Sequence, residues 1–355
     1  MDSRIPRSAP SATQCDALDF ERTYPMLAEI TFDTRMIRLD LATANALRRR
    51  CEESRHSLGR GELVDEDDGC VLDALAQAVD SAMTEMGIKH AFVRLSTRSP
   101  KDARIQSGEA MSALIDEALC DFASENNGFD ASGDSDAVVA SVIRACAQVN
   151  AVASGSEAVE LLGSSRRVFQ DLIGRLLMAD DDDSLELAVL GRAWADDVFH
   201  EQELRCWVYS RRLTAVTQYY KAPYLAALDA ARASLVPALE AWFATELLPR
   251  LPPEVDTCVV DILPRCIFTP HTGDHHFYLV ELNHWAATTS SSLFDWASDA
   301  ELLCSGGDGG EVVWRIRSGP ADNPRAALYG PLRELADSMY PEKRAVSAAS
   351  WCAVV

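Results

Sequence analysis

The chain has 355 residues, of which 48% are hydrophobic and 25% charged, a composition typical of a soluble globular protein with room for two or three packed lobes. Its 33 Lys and Arg against 55 Asp and Glu give a net charge of −22. This charge argues against nonspecific binding to nucleic acid or to an anionic membrane, and it is compatible with a basic protein partner.

The cysteines and the N-terminal residues indicate a cellular compartment. None of the 10 cysteines forms a Cys-x-x-Cys pair, which favours buried, reduced thiols over a disulfide framework or a zinc site. Residues 1–15 are polar, without the apolar core of a signal peptide, and no stretch is long enough to span a membrane. We therefore expect a cytoplasmic protein with a flexible tail at 1–15.

Hydrophobic spacing predicts a first half rich in helices. Helices are expected at 40–54, 70–87, 107–122, 135–153 and 165–178, with short strands around 30–32 and at 91–96.

Strand patterns dominate the second half. Strands are expected at 185–194, 203–209, 212–220, 257–263, 276–283 and 311–317, and helices at 223–247, 292–297 and 325–338. This order predicts an α+β protein with an N-terminal lobe at 16–184 and a C-terminal lobe at 185–355.

The segment FYLVELNHW carries the clearest chemical signal. Glu281 and Asn283 end the strand expected at 276–283, and they share one face because side chains two apart on a strand point the same way. The strand at 257–263 carries one acid, Asp261. If the two strands pair antiparallel, two carboxylates and an amide converge as ligands for Mg²⁺ with a nucleotide. The alternative is two ordinary strands, each with a solvated acid.

Arg94 is a cation between apolar neighbours in the strand at 91–96, and a turn of small polar residues that includes Ser99 follows it. Such a turn could hold phosphate through charge and backbone N–H groups. The alternative is an exposed strand arginine. Arg98 and Lys101 are expected to be solvated surface charges.

Two further pairs occupy alternating strand positions. Arg192 and Trp194 end one strand, and Glu203 and Arg205 begin the next, so each pair shares a face. An aromatic ring beside a strand edge can form a slot for a purine. The alternative is a cross-strand ion pair with Trp194 in the core.

The remaining polar motifs indicate loops. HTGDHH at 271–276 could bind a metal through its histidines, but a hairpin turn between the two acidic strands is the favoured interpretation. The segment GGDGGE at 306–311 is expected to be a flexible loop. We find no Walker lysine motif, dinucleotide fingerprint or nucleophile elbow.

Several segments together, in order, resemble the cell division cycle protein 123 family, whose members resemble ATP-grasp enzymes and act as assembly chaperones of eukaryotic translation initiation factor 2. The resembling segments are FVRLSTRSPKDA (92–103), VLGRAW (189–194), ELRCWV (203–208), LTAVTQ (213–218), CVVDI (258–262) and VELNHWAATTSSSLFDW (280–296).

The resemblance implies an ATP-grasp-like fold of two lobes, with ATP and Mg²⁺ bound between them. The residues implied to contact ATP are Arg94, Ser99, Arg192, Trp194, Glu203 and Arg205, and those implied to hold Mg²⁺ are Asp261, Glu281 and Asn283. No catalytic residue is assigned.

The chain departs from the family pattern at several of these positions. Arg94 replaces a lysine, which keeps the charge but gives a bulkier, forked group. Glu281 replaces an aspartate, and the resulting Glu-x-Asn is closer to the pattern of ATP-grasp ligases. His284 and Trp285 replace a proline and a phenylalanine that flank the family's asparagine. These changes suggest a divergent member.

Three hypotheses follow. The preferred one is an ATP- and Mg²⁺-binding assembly chaperone whose partner is a subunit of translation initiation factor 2, with no direct contact to nucleic acid or membrane. The second is an ATP-grasp ligase or kinase that phosphorylates a carboxylate or another acceptor. The third is an interaction module that binds no nucleotide.

Overall fold

Two β-sheets with flanking helices form the molecule, which confirms the predicted α+β class. The computed structural model describes residues 18–56, 66–103, 108–125, 135–265, 276–320, 322–328 and 330–341. The proposed tail at 1–15 and residues 271–275 of the histidine-rich segment lie outside these ranges. Among the helices in the described ranges, none combines the length and apolarity needed to cross a membrane.

The first sheet has the strand order β1-β4-β2-β3. Its strands are β1 (Thr34–Arg38), β2 (Ala91–Leu95), β3 (Ala151–Val152) and β4 (Ala188–Ala193). All its neighbouring pairs are antiparallel. The strand β4 lies between β1 and β2, but in the sequence it comes after residue 184, where the N-terminal lobe was expected to end. The sheet of the N-terminal lobe therefore includes β4, a strand that the sequence analysis assigned to the C-terminal lobe.

Amphipathic helices cover the first sheet and bury its apolar side. They are α2 (Leu41–His56), α3 (Glu66–Met86), α6 (Gly155–Ser164) and α7 (Arg166–Leu176), while α1 (Phe20–Leu27) precedes β1. Ser154 and Ser165 cap α6 and α7, since their hydroxyls accept the N–H groups of Glu157 and Val168.

The start of α6 lies unusually close to α3. Gly155 donates its N–H to the Asp80 carboxylate at 2.6 Å. A Cβ at position 155 would stand 1.8 Å from the carbonyl oxygen of Ala76, so only glycine fits here.

The second sheet has the order β8-β7-β5-β6-β9. Its strands are β5 (Leu204–Tyr209), β6 (Arg212–Gln218), β7 (Cys258–Arg265), β8 (His276–Asn283) and β9 (Val313–Arg315). The β5–β6 hairpin turns at Ser210 and Arg211, whose φ values of 49° and 56° are those of a two-residue hairpin turn. This confirms the predicted hairpin.

A long helix packs against the second sheet, with Leu228, Leu235 and Leu239 in the shared core. It comprises α8 (Ala226–Trp242), a π-helical segment (Phe243–Leu247) and α9 (Leu248–Arg250).

A separate helical cluster with its own apolar core joins distant parts of the chain. It comprises α4 (Gly108–Glu125), α5 (Ser135–Gln148) and α11 (Gly330–Met339). Residues Met111, Val142 and Ala336 are fully buried between these helices. The C-terminal helix therefore packs against helices of the first half.

The prediction of a helix at 292–297 is wrong, because this segment forms turns. The nearby helix is α10 (Ala300–Ser305). Ser292 adopts a φ of 51°, which a helix cannot contain. The Asp295 carboxylate accepts the backbone N–H groups of Ala297 and Ser298 at 3.0 and 2.9 Å, so it holds a turn instead. The strand expected around 30–32 is a single bridge at Thr31, and β1 begins only at Thr34.

Candidate functional site

The two acidic strands pair antiparallel, as predicted, with Asp261 opposite Glu281. A bulge follows Asp261 in this ladder. The side-chain amide of Asn283 donates to Oδ2 of Asp261 at 2.8 Å. The structure therefore brings the three expected metal ligands together, from the middle of β7 and the end of β8.

Both carboxylates are held by arginines. Arg205 donates to Asp261 through Nε at 2.8 Å and through Nη2 at 2.7 Å, and neither side chain has appreciable solvent exposure. Nη1 of Arg94 donates to Oε2 of Glu281 at 2.8 Å. Arg205, expected to contact ATP, is bound to Asp261, and its guanidinium lies 4.6 Å from the ring centre of Tyr219.

The ion pairs affect which oxygen atoms of the cluster could bind a cation. Within the described part of the chain, no three His, Cys, Asp or Glu side chains converge as a metal site. The donors at hand are the two carboxylates and the Asn283 amide oxygen, a hard set that suits Mg²⁺ completed by water and phosphate. The residues fit a metal that arrives with a nucleotide better than one bound by protein ligands alone.

A cavity of about 250 Å³ lies beside the cluster, between the two sheets. Its wall is largely apolar and includes Phe92, Trp194, Tyr220 and Leu263. The indole ring of Trp194 packs against the imidazole of His200, with their centres 5.3 Å apart. Trp194 therefore lines this cavity.

Three buried polar atoms at this cavity have no hydrogen-bond partner among the residues that the structure describes. They are Oε1 of Glu203, Oδ1 of Asn150 and Nε of Arg192. Each residue is only 3% exposed. Because an unsatisfied buried polar atom costs about 1–3 kcal/mol, three at one apolar cavity indicate a site for a polar ligand.

The acids around the cavity differ in their electrostatics. Burial raises the pKa of Glu203 to about 8, opposed by Lys101 and reinforced by Asp261 and Glu281. Burial also acts on Glu281, but the positive charges of Arg94 and Lys101 outweigh it and lower the pKa of that carboxyl to about 2. Near neutral pH, Glu281 is therefore ionised while Glu203 can keep its proton.

The raised pKa of Glu203 predicts a pH-dependent stability. Between the unfolded value of 4.5 and the folded value of about 8, the native state holds a proton that the unfolded chain has released. The free energy of unfolding therefore falls as the pH rises through this window. Glu203→Gln should remove this pH dependence. The free energy of unfolding of the variant relative to that of wild type should therefore rise by about 1–3 kcal/mol from acidic to alkaline pH.

Urea unfolding across this pH range measures the effect. The matched control is Glu254→Gln, at an exposed position, which should run parallel to wild type. A Glu203→Gln curve that also runs parallel to wild type would show that Glu203 titrates normally.

The solvated surface position expected for Lys101 is wrong. Lys101 is half-buried and borders the cavity, with its ammonium 5.2 Å from the ring centre of Tyr219. Burial opposes its charge, but Tyr219, Glu203 and Glu281 hold the pKa of Lys101 above its usual value. Arg98 forms an ion pair with Asp171 at 2.8 Å. The Arg98 side chain remains 42% exposed, so Arg98 lies at the surface, as expected.

Arg94 and Arg192 lie on adjacent strands of the first sheet and face the second sheet. Arg94 is 6% exposed, so the alternative of a solvated strand arginine is wrong. Arg192 donates to the carbonyl of Val280 at 2.7 Å, and burial together with Arg94 lowers its pKa to about 9. Ser99 is also buried and borders the same space. Except for Arg205, the expected ATP-contacting residues all border this cavity.

Comparisons with known proteins identify the family. The D123 family model matches residues 140–325, more than half of the 355 residues. The chain belongs to the D123 family. The D123 match contains Glu203, Asp261 and Glu281, whereas Arg94 and Lys101 precede it. The resemblance stated from the sequence segments is thereby confirmed.

Solved structures share the fold of this D123 member. Cdc123 from Schizosaccharomyces pombe aligns with a TM-score of 0.55 and 17% identity over 87% of this chain and 98% of that chain. A C-terminally truncated form of the same protein aligns with a TM-score of 0.56 and 17% identity, covering 88% and 100% of the two chains. No curated protein sequence matches.

Proposed function

We propose that this D123-family protein binds Mg²⁺–ATP between its two sheets and acts as an assembly chaperone for a subunit of translation initiation factor 2. The observation that carries the nucleotide proposal is the set of three unpartnered buried polar atoms at the cavity beside Asp261 and Glu281. The chaperone role follows from the resemblance to the cell division cycle protein 123 family.

The base and the sugar would occupy the cavity of about 250 Å³. Trp194 and Tyr220 offer apolar and aromatic surface for a purine ring. Oε1 of Glu203 and Oδ1 of Asn150 would accept hydrogen bonds from amino or hydroxyl groups of the ligand.

The phosphates would lie towards Arg94 and Lys101. Glu281 and Asn283 would hold Mg²⁺, with Asp261 beside them, and the metal would neutralise phosphate charge. Arg94 now neutralises Glu281. Binding would exchange these partners, so that Arg94 meets phosphate and Glu281 meets the cation.

Calorimetric titration of Mg²⁺–ATP into the full chain tests this proposal. Glu281→Gln keeps the side-chain shape but removes one anionic metal ligand, and we expect it to weaken binding about tenfold or more. Glu301→Gln, at an exposed position on α10, is the matched control and should bind as wild type does. No heat with wild-type protein would reject nucleotide binding, and equal affinity of Glu281→Gln would reject the metal role.

The chaperone role requires coupling between nucleotide and partner. If ATP stabilises the conformation that grips the partner, a purified subunit of initiation factor 2 should bind more tightly with Mg²⁺–ATP than without it. In Glu281→Gln, Mg²⁺–ATP should no longer increase the affinity for the subunit. Unchanged affinity of the subunit with and without ATP would contradict the proposal.

A second candidate is an ATP-grasp ligase or kinase acting on a carboxylate or another acceptor. Glu281 and Asn283, the Glu-x-Asn pair, also border a neighbouring cavity that could admit an acceptor. Release of ADP that depends on a candidate acceptor would favour this activity over the chaperone.

A further inference from the structure

A second cavity of about 380 Å³ lies on the other side of the Arg94–Glu281 ion pair. It is strongly cationic although the chain as a whole carries a charge of −22. The arginines in its wall are Arg94, Arg98, Arg167, Arg175 and Arg192, and the acids are Asp19 and Glu281. Among the described residues of the wall, five positive charges against two negative ones indicate an anionic ligand.

The arginines form two groups. Arg94 and Arg192 border both cavities, whereas Arg98, Arg167 and Arg175 border only the second. A ligand in the second cavity can therefore meet two guanidinium groups that the nucleotide cavity shares and three that it does not share.

Part of this positive charge is not compensated by protein. Arg98 and Arg175 are paired with Asp171 and Asp19. In the described part of the chain, Arg167 and Arg192 form no ion pair with a carboxylate, and Arg192 instead lies 4.8 Å from the ring centre of Phe20.

Two polar atoms of this wall also lack partners. Among the described residues, neither Nε of Arg192, which also borders the first cavity, nor Oγ1 of Thr97 has a hydrogen-bond partner, and both atoms are buried. Arg192 is 3% exposed, so its guanidinium is almost entirely withdrawn from water. Glu281 offsets part of this charge but is paired with Arg94, so a bound oxyanion would further stabilise the Arg192 cation.

Hydroxyl-bearing and apolar side chains share the rest of the wall. Phe20, Leu27 and Leu279 face the same cavity, and Leu27 and Leu279 are each only 3% exposed. An inorganic anion would leave this surface uncovered, whereas a carbon chain would contact it. The planar fork of arginine matches the two oxygens of a carboxylate.

We propose that this cavity binds a dicarboxylate, in which a short carbon chain joins one carboxylate near Arg94 and Arg192 to another near Arg167. The source of the two carboxylates is either a free dicarboxylic acid or two acidic side chains of a peptide. The site goes beyond nucleotide binding, because Arg167 and Thr97 do not border the nucleotide cavity.

Calorimetry on the full chain with four probes tests the ligand class. The probes are glutarate, a capped Glu-Glu dipeptide, butyrate and inorganic phosphate. Glutarate or the dipeptide should bind with 1:1 stoichiometry, about tenfold or more tighter than butyrate and phosphate. Binding of free glutarate assigns a small acid, and binding of the dipeptide alone assigns a peptide. Phosphate binding as tightly as either dicarboxylate, or no binding of either dicarboxylate, overturns the proposal.

Two neighbouring arginines provide a matched pair of variants. Arg167→Gln removes a cation of the cavity and should weaken dicarboxylate binding about tenfold or more. Arg166→Gln, exposed on the same turn of α7 and outside the cavity wall, should bind as wild type does. Thr97→Val should weaken binding without changing the charge. Equal affinity of Arg167→Gln and Arg166→Gln would overturn the assignment.

The same variants separate this proposal from the nucleotide proposal. Mg²⁺–ATP affinity of Arg167→Gln should equal that of wild type, measured in a separate titration. A chain that binds dicarboxylate but no nucleotide would refute only the proposed function, and the opposite outcome would refute only the dicarboxylate site.

Discussion

Replacing Arg205 by methionine should lower the free energy of unfolding by about 3–5 kcal/mol, the largest loss expected from any one substitution in the second sheet. Asp261 is completely buried, and both of its oxygens accept hydrogen bonds from Arg205. Methionine fills similar space but leaves the carboxylate unpaired in the core. Nη1 of Arg205 also donates to the carbonyl of Ser290 at 2.6 Å. Methionine would remove this hydrogen bond as well.

Urea denaturation at neutral pH measures this loss, with Arg22→Met as control. Arg22 pairs with Glu186 at 3.5 Å, but both side chains are about half exposed, so the control should lose less than about 1 kcal/mol. Removing both members in Arg205→Met/Asp261→Leu should recover much of the stability, because no unpaired charge remains. Similar losses for Arg205→Met and Arg22→Met would show that the buried pair does not stabilise the fold.

Gly155→Ala should destabilise the protein by about 2–4 kcal/mol, because the added methyl group would overlap a backbone carbonyl. The obstructing atom is the oxygen of Ala76 at 1.8 Å, and backbone cannot move aside as the end of a side chain can. The helices α3 and α6 would have to separate and would loosen the hydrogen bond from Gly155 to Asp80.

Gly174→Ala is the matched control within the neighbouring helix α7. It is exposed, and no atom lies within 4 Å of a Cβ built there. Alanine at such a helical position should raise stability by about 0.5–1 kcal/mol. Thermal melts of the two variants should therefore shift in opposite directions, and a neutral Gly155→Ala would refute the tight α3–α6 contact.

Local patterns were sufficient to predict most elements and the geometry of the acidic strands. Alternation fixes which side chains share a face, so Glu281 and Asn283 could be placed together from the sequence. The short connection at Ser210 and Arg211 fixed the β5–β6 hairpin in the same way. Pairing of Asp261 with Glu281 followed from two acidic strands close together in the chain.

Contacts between distant segments could not be predicted in this way. Arg205 and Asp261 are 56 positions apart, and Arg94 and Glu281 are 187 apart, so no local period connects them. Lys101 appeared to be a surface charge because nothing in the turn after β2 shows that the second sheet covers it. At 292–297, the hydrogen bonds that backbone N–H groups donate to the Asp295 carboxylate outweighed the apolar spacing that favoured a helix.

The position of β4 within the first sheet affects how the chain can fold during synthesis. β1 ends at Arg38 and β4 begins at Ala188, yet β1 has no other strand neighbour in that sheet. At about 5–20 residues per second, a ribosome needs roughly ten to thirty seconds to make the intervening segment. Throughout that interval β1 and β2 lack the strand that joins them, so the emerging half-chain depends on protection from aggregation until the central strand arrives.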